Sequence, residues 1–191
     1  MKRLLLILIL TFSFQSWIKA DDIRDFEIEG MSIGDSLLDF FSEDEILKSI
    51  RPNQYAGSDG KFVEIEIYKE NHSFLKTYEG MQIFYKKNDK NYKIYSLSGG
   101  IFYEHNINAC FKQQKEIEKI FSEIFKSTRK RESKRKHADD ATGKSFIYFI
   151  TYDFTNGNRV EISCYDFSKH LNRNDYLLVS VDTKELNDWL P

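Results

Sequence analysis

The sequence predicts an α+β domain: a mostly antiparallel sheet of about six strands, in two three-stranded halves, packed on a long central helix. Three observations lead there. In residues 106–126, Ile107, Cys110, Phe111, Ile117, Ile120, Phe121, Ile124 and Phe125 recur at spacings of three, four and seven. Such spacings make one stripe of a helix. Lys112, Gln113, Lys115, Glu116, Glu118, Lys119 and Glu123 fall mostly outside the stripe, so the other face is wet. Alternating or apolar runs flank this helix on both sides. Finally, Phe and Tyr number 16 and 11 against 2 Pro, which favours strands joined by polar turns.

The first residues stand apart. Lys2 and Arg3 precede an unbroken apolar run from Leu4 to Leu10, and Ala20 offers a small residue for cleavage. This is the layout of a secretory signal peptide over residues 1–20. The apolar run is shorter than the roughly 20 residues that a spanning helix needs. Residues 21–191 are therefore expected as one exported α+β domain with no transmembrane segment, periplasmic or secreted. Losing Lys2, Arg3 and Lys19, and no acid, moves the formal charge from −2 to −5.

Within the domain, residues 23–28 alternate apolar and charged and predict a short strand or extended lead-in. Asp35 can cap a short helix through Phe41. Ser42, with Glu45 three residues on, forms a capping box for a second helix that Pro52 ends. Residues 61–68 alternate Val63, Ile65 and Ile67 against Glu64 and Glu66, as a half-buried strand does. Residues 81–86 and 92–97 flank a polar turn and read as a hairpin. Gly99 and Gly100 break the pattern before Ile101, Phe102 and Tyr103. Asn106 can cap the long helix.

Beyond the helix, residues 127–144 are polar and read as a mobile basic connector. Residues 146–154 are apolar on both faces and predict a central strand. Asn156-Gly157 suits a type I′ hairpin turn. Residues 159–167 and 175–181 complete a meander, and Thr183 caps a last short helix. Two small sheets packed on the long helix are the alternative architecture.

Ile28-Glu29-Gly30-Met31-Ser32, followed by helix and then strands, resembles the entry of the small helix–helix–three-strand domains of outer-membrane assembly lipoproteins. β-Lactamase inhibitor proteins have a similar fold. The chain departs from that pattern at three points: Ile28 stands one residue closer to the glycine, Ile50-Arg51-Pro52 lacks a glycine, and no lipid-acceptor cysteine is present. The resemblance covers about 30 residues. It implies a periplasmic binding or scaffolding module. The whole chain also resembles small secreted bacterial proteins.

Motifs for chemistry are sparse. Gly143-Lys144-Ser145 ends a near match to a phosphate-binding loop. Ala138 occupies the place of its first glycine, and Asp139 and Asp140 would repel an anion. His72, His105, His137 and His170 lack zinc-protease spacing. Cys164 and His170 are near in sequence only. Ser98-Gly99-Gly100 lacks the preceding glycine of a nucleophile elbow. No calcium loop occurs, and no motif calls for a cofactor or metal. Tyr85, Tyr92, Tyr95, Tyr103, Tyr148, Tyr152 and Tyr165 fall on predicted strands. They read either as a half-covered sheet face or as a Tyr-lined binding face.

Two features remain. Cys110 lies on the apolar stripe of the helix, and Cys164 shares a strand face with Val160 and Ile162. In an oxidising compartment they are expected either as a disulfide or as two buried thiols. Residues 126–137 carry seven basic residues against Glu132 alone. Arg129, Lys130, Arg131, Lys134, Arg135 and Lys136 are candidates for contact with an anionic partner: lipid headgroups, envelope polysaccharide or an acidic protein. Nucleic acid is not expected, because no aromatic is interleaved to stack on bases. The leading expectation is an exported, non-enzymatic protein that binds or scaffolds an unknown protein or anionic envelope component. The alternatives are a hydrolase without a recognisable motif and a carrier of a small apolar ligand.

Overall fold

Nine strands form two sheets in this computed structural model, which describes residues 22–51 and 59–190. The signal-peptide expectation, the cut after Ala20 and the role of Pro52 lie outside the described residues. β1 (Glu27–Ile28) and β2 (Met31–Ser32) make a small hairpin. The other seven make one antiparallel sheet in the order β3-β4-β5-β9-β8-β7-β6. They are β3 (Phe62–Tyr68), β4 (Gly80–Lys86), β5 (Ile94–Phe102), β6 (Arg129–Lys136), β7 (Phe146–Asp153), β8 (Arg159–Asp166) and β9 (Tyr176–Asp182).

This corrects the expected α+β class. The protein is mostly sheet, and α2 (Ile107–Ile124) is its one substantial helix. The two expected halves are meanders of three and four strands. They fuse because β5 pairs with β9 from Ser96↔Asp182 to Phe102↔Tyr176. That pairing joins residues about 80 apart in sequence, so no local pattern announces it.

Period-2 alternation sorts the side chains between two faces. Ile65, Ile67, Met81, Ile83, Leu97, Val160, Ile162, Leu177, Val179 and Val181 point to one face and are buried. Over that face lie α2 and the N-terminal segment, which adds Ile23, Ile28, Met31, Leu37 and Ile46 to the same core. Phe26 meets Phe121 of α2 edge to face, with ring centroids 5.2 Å apart. Ile120 is exposed rather than packed, because it falls at the margin of the stripe.

Local signals act as read at several points. Ser42 and Glu45 make both bonds of the capping box that opens α1 (Glu43–Lys48). The side chain of Asn106 accepts from the Ala109 N–H at the start of α2. Thr183 accepts from Leu186 N–H at the start of α3 (Lys184–Asn187). Elsewhere the reading shifts. Residues 23–25 are a 3-10 turn rather than extended chain, and Ser36, not Asp35, caps the 3-10 turn Leu37–Asp39. In the turn after β7 only Gly157 takes positive φ, 87°, while Phe154 and Asn158 still pair. A type I′ turn needs two such residues, so this is a three-residue loop with glycine in the left-handed position. β7 is second from the edge, not central.

Gly99 and Gly100 do not break a strand; they lie inside β5. The Tyr78 ring covers Gly99 so closely that a Cβ there would lie 2.5 Å from the ring. The Tyr78 segment is itself held by Glu29, whose carboxylate accepts from the N–H groups of Lys76, Thr77 and Tyr78 at 3.0, 2.6 and 2.9 Å.

Candidate binding surface: a basic edge strand

The tract read as a connector is β6, which pairs with β7 at every residue from Arg129↔Asp153 to Lys136↔Phe146. Its sequence gives no reason to be a strand: Lys and Glu are disfavoured there, and no residue is apolar. The ladder to β7 supplies the reason. β7 offers Phe146, Tyr148, Phe149, Ile150 and Tyr152 on its two faces, and the stems of the basic residues cover them.

Alternation splits the six candidates. Arg129, Arg131 and Arg135 take the face away from α2; Lys130, Lys134 and Lys136 take the face of α2. Arg131 Nε donates to Asp153 Oδ2 at 2.6 Å. The Arg135 guanidinium lies 4.8 Å from the Phe149 ring centre. On the other face Lys130 bonds Glu118 of α2. Lys134 Nζ lies 3.8 and 4.8 Å from the rings of Phe146 and Tyr148. Burial alone would raise the Asp153 carboxyl, but its bonds to Arg131 and Arg159 outweigh that and hold it below the usual range. The bond to Glu118 raises the Lys130 ammonium.

All eight residues of β6 are exposed. Among the described residues no strand pairs with its outer side. The opposite edge is different. Ile50 bridges Ile65 of β3, Arg51 N–H donates to Glu64 O at 2.9 Å, and Glu66 N–H donates to Ser49 O at 3.0 Å. One edge of the sheet is thus partly closed, and the other carries charge.

The two cysteines are bonded: Cys110 and Cys164 form a disulfide, with Cα atoms 6.0 Å apart, and both are fully buried. It ties α2 to β8. The tyrosines do not share a face. Tyr85, Tyr92, Tyr103, Tyr148 and Tyr152 join the main core. Tyr95 packs with Phe62, Phe84 and Leu186 near α3, and Tyr165 stacks on Tyr176 with centroids 4.2 Å apart.

Sequence reasoning missed two polar groupings. On the sheet face away from α2, burial pushes Glu64 and Glu161 up to about 7, and Asp182 is raised as well. Ser163 Oγ donates to Glu161 at 2.5 Å, and Ser96 and Ser180 donate to Asp182 at 2.5 and 3.2 Å. Alternation marks these positions as one face; strand order sets Glu161 of β8 near Asp182 of β9, while Glu64 lies apart on the edge strand β3. Two grooves, of about 280 and 410 Å³, lie at other places on the surface.

The other grouping is the loop that resembles a phosphate site. It joins β6 to β7, so a strand follows where a phosphate loop needs a helix. Asp140 is buried there and accepts from Ser145 Oγ, Thr142 Oγ1 and Thr142 N–H at 2.6, 2.6 and 2.9 Å. Those bonds hold its carboxyl well below the usual range. Ser168 Oγ lies 2.8 Å from His170 Nδ1, and His170 Nε2 lies 3.4 Å from Asp140 Oδ1, the order of a hydrolase triad. Yet Ser168 Oγ also reaches Asp140 Oδ2 directly, at 3.0 Å. The hydroxyl and the carboxylate meet without the imidazole between them, so the relay of a triad is short-circuited. The grouping staples two loops.

The remaining histidines are dispersed. His72 packs on Phe41 and Phe74, and His137 packs on Tyr165 and Phe167, where burial lowers its pKa. Among the described residues no three His, Cys, Asp or Glu side chains are placed to hold a metal. No helix among them is long and apolar enough to cross a membrane. Comparison with protein families, curated proteins and solved structures finds no match to the chain.

Proposed function

We propose that the chain is an exported binding protein that engages an anionic partner through β6. One observation carries this reading: six cations line an exposed edge strand, three on each face, in a chain whose remainder is acidic. Clustered cations attract anions, and the attraction fades with salt. The buried disulfide supports export, since such bonds persist in oxidising compartments. Two short helical segments followed by β3, β4 and β5 follow the order that the resemblance to outer-membrane assembly domains implies, and they support a scaffolding role.

The test replaces Arg129, Lys130, Arg131, Lys134, Arg135 and Lys136 with Ser in the exported protein. Wild type is expected to bind anionic probes at low salt and to release them as salt rises; the variant should not bind. Absence of salt-sensitive binding by wild type to acidic peptide, anionic vesicles and anionic polysaccharide alike would refute the reading. Mass spectrometry of the exported protein should find a mature chain beginning at Asp21.

A further inference from the structure

We infer that β6 receives an extended acidic protein segment as an eighth strand of the sheet. The inference rests on the reading of β6 as the contact surface and names the partner's chemistry and its mode of docking.

The geometry of an edge comes first. In an antiparallel pair, alternate residues turn their N–H and C=O groups to each side, so about half of the residues of β6 present theirs outward. A row of outward donors and acceptors is a template for another strand. At the opposite edge, residues 49–51 already occupy part of that template on β3. On β6 it is open along the whole length from Arg129 to Lys136, among the described residues.

The placement of charge then selects the occupant. Contacts with Asp153 and Phe149 draw Arg131 and Arg135 back over β7 on one face. Contacts with Phe146 and Tyr148 draw Lys134 back over β7 on the other. The cations therefore flank the backbone edge on both sides and leave the edge itself uncovered. A strand laid on it would meet cations on both of its own faces, with Glu132 the one acid among them, already 3.5 Å from Lys130. A segment with acids at successive positions satisfies that arrangement; an amphipathic strand with acids on one face satisfies half of it. Opposite charges across a strand pair are favourable and like charges unfavourable. A second copy of this chain, adding its own β6, would set cations against cations. A lipid surface could meet the charges but has no row of amides to pair with the edge.

A fluorescent acidic octapeptide of mixed Glu and Asp, titrated into the full exported chain at low salt, provides the test. A second peptide of the same sequence carries N-methyl groups on all of its internal amides, which removes the backbone donors of both edges and leaves the charge. The inference expects the plain peptide to bind. N-methylation should weaken binding at least about tenfold, the loss of one or two net hydrogen bonds. Amide exchange within Arg129–Lys136 should slow with the plain peptide and not with phosphatidylglycerol vesicles. Equal binding of the two peptides, or equal protection by vesicles, would overturn strand addition and leave the anionic contact standing. Failure of the plain peptide to bind would overturn strand addition, and failure of vesicles and anionic polysaccharide as well would also remove the anionic contact.

Discussion

Gln114 of α2 donates from Nε2 to the carbonyl of Ile162 in β8 at 2.9 Å. The same nitrogen reaches the Tyr148 carbonyl of β7 at 3.0 Å, and the side chain is buried. Gln114 lies one turn beyond Cys110 on the same helix face, so a covalent bond and a polar clamp fix adjacent turns to adjacent strands. Gln114→Leu should destabilise the fold by about 1–3 kcal/mol, because two buried carbonyls lose a donor. Urea unfolding of oxidised wild type and variant measures this. A difference below the error of the titration would show that the carbonyls need no donor beyond the sheet ladder.

The disulfide spans 54 residues, from the first turns of α2 across β6 and β7 to β8. In the chain-entropy account a loop of that length stabilises by about 4 kcal/mol. Reduced protein should therefore unfold at markedly lower urea than oxidised protein, with the slope of the transition altered by the longer unfolded chain. Loss of less than about 1 kcal/mol would mean that the reduced unfolded chain retains structure around these residues.

Gly99 and Tyr78 give a sharper case. Gly99 faces the core between Met81 and Val179, and the Tyr78 ring occupies the space that any side chain would need. Gly99→Ala should cost about 1–3 kcal/mol by overpacking, despite the better strand propensity of alanine. The double variant Gly99→Ala with Tyr78→Ala should lose less than the two single losses added together, since the second change removes the clash. Additive losses in thermal unfolding would show that the ring and the glycine are independent.

The sequence announces elements whose causes are local and conceals those whose causes are distant. The capping box at Ser42, the caps Asn106 and Thr183, and the alternation of Val63, Ile65 and Ile67 all lie within a few residues of their effects. β6 is the opposite. Nothing from Arg129 to Lys136 favours a strand, and β7 imposes that state by pairing. Gly99 reads as a break because its partner, the Tyr78 ring, comes from a separate segment. The α+β class expected from the sequence fails for a related reason. A long helix between two strand groups suggests two layers of similar weight, but β5 and β9 pair and merge the groups into one sheet. The six basic residues were legible as a charge cluster. Their division between two faces of an edge was not, because alternation has meaning only once the segment is known to be a strand.

The carboxylates on the face away from α2 predict how stability varies with pH. Glu161 is pushed up to about 7: burial raises it most, the Ser163 hydroxyl opposes this, and nearby Asp182 adds to it. In the unfolded chain a glutamate titrates near 4.3. Between those values the folded protein keeps a proton that the unfolded chain has released, so Glu161 makes stability fall as pH rises through that window. Below it both states are protonated, and above it both are ionised, so the effect starts near pH 4, grows through neutrality and levels off by about pH 8. Glu161→Gln keeps an acceptor for Ser163 and cannot ionise. The variant should match wild type near pH 4 and exceed it by about 1–2 kcal/mol at pH 8, less than the full shift because the site retains some solvent. Glu64, also raised to about 7, remains in both proteins and cancels in the difference. Thermal unfolding of the pair from pH 4 to 8 measures the divergence. Parallel curves across that range would show that Glu161 is ionised at neutral pH and that solvent or Arg159 supports its charge.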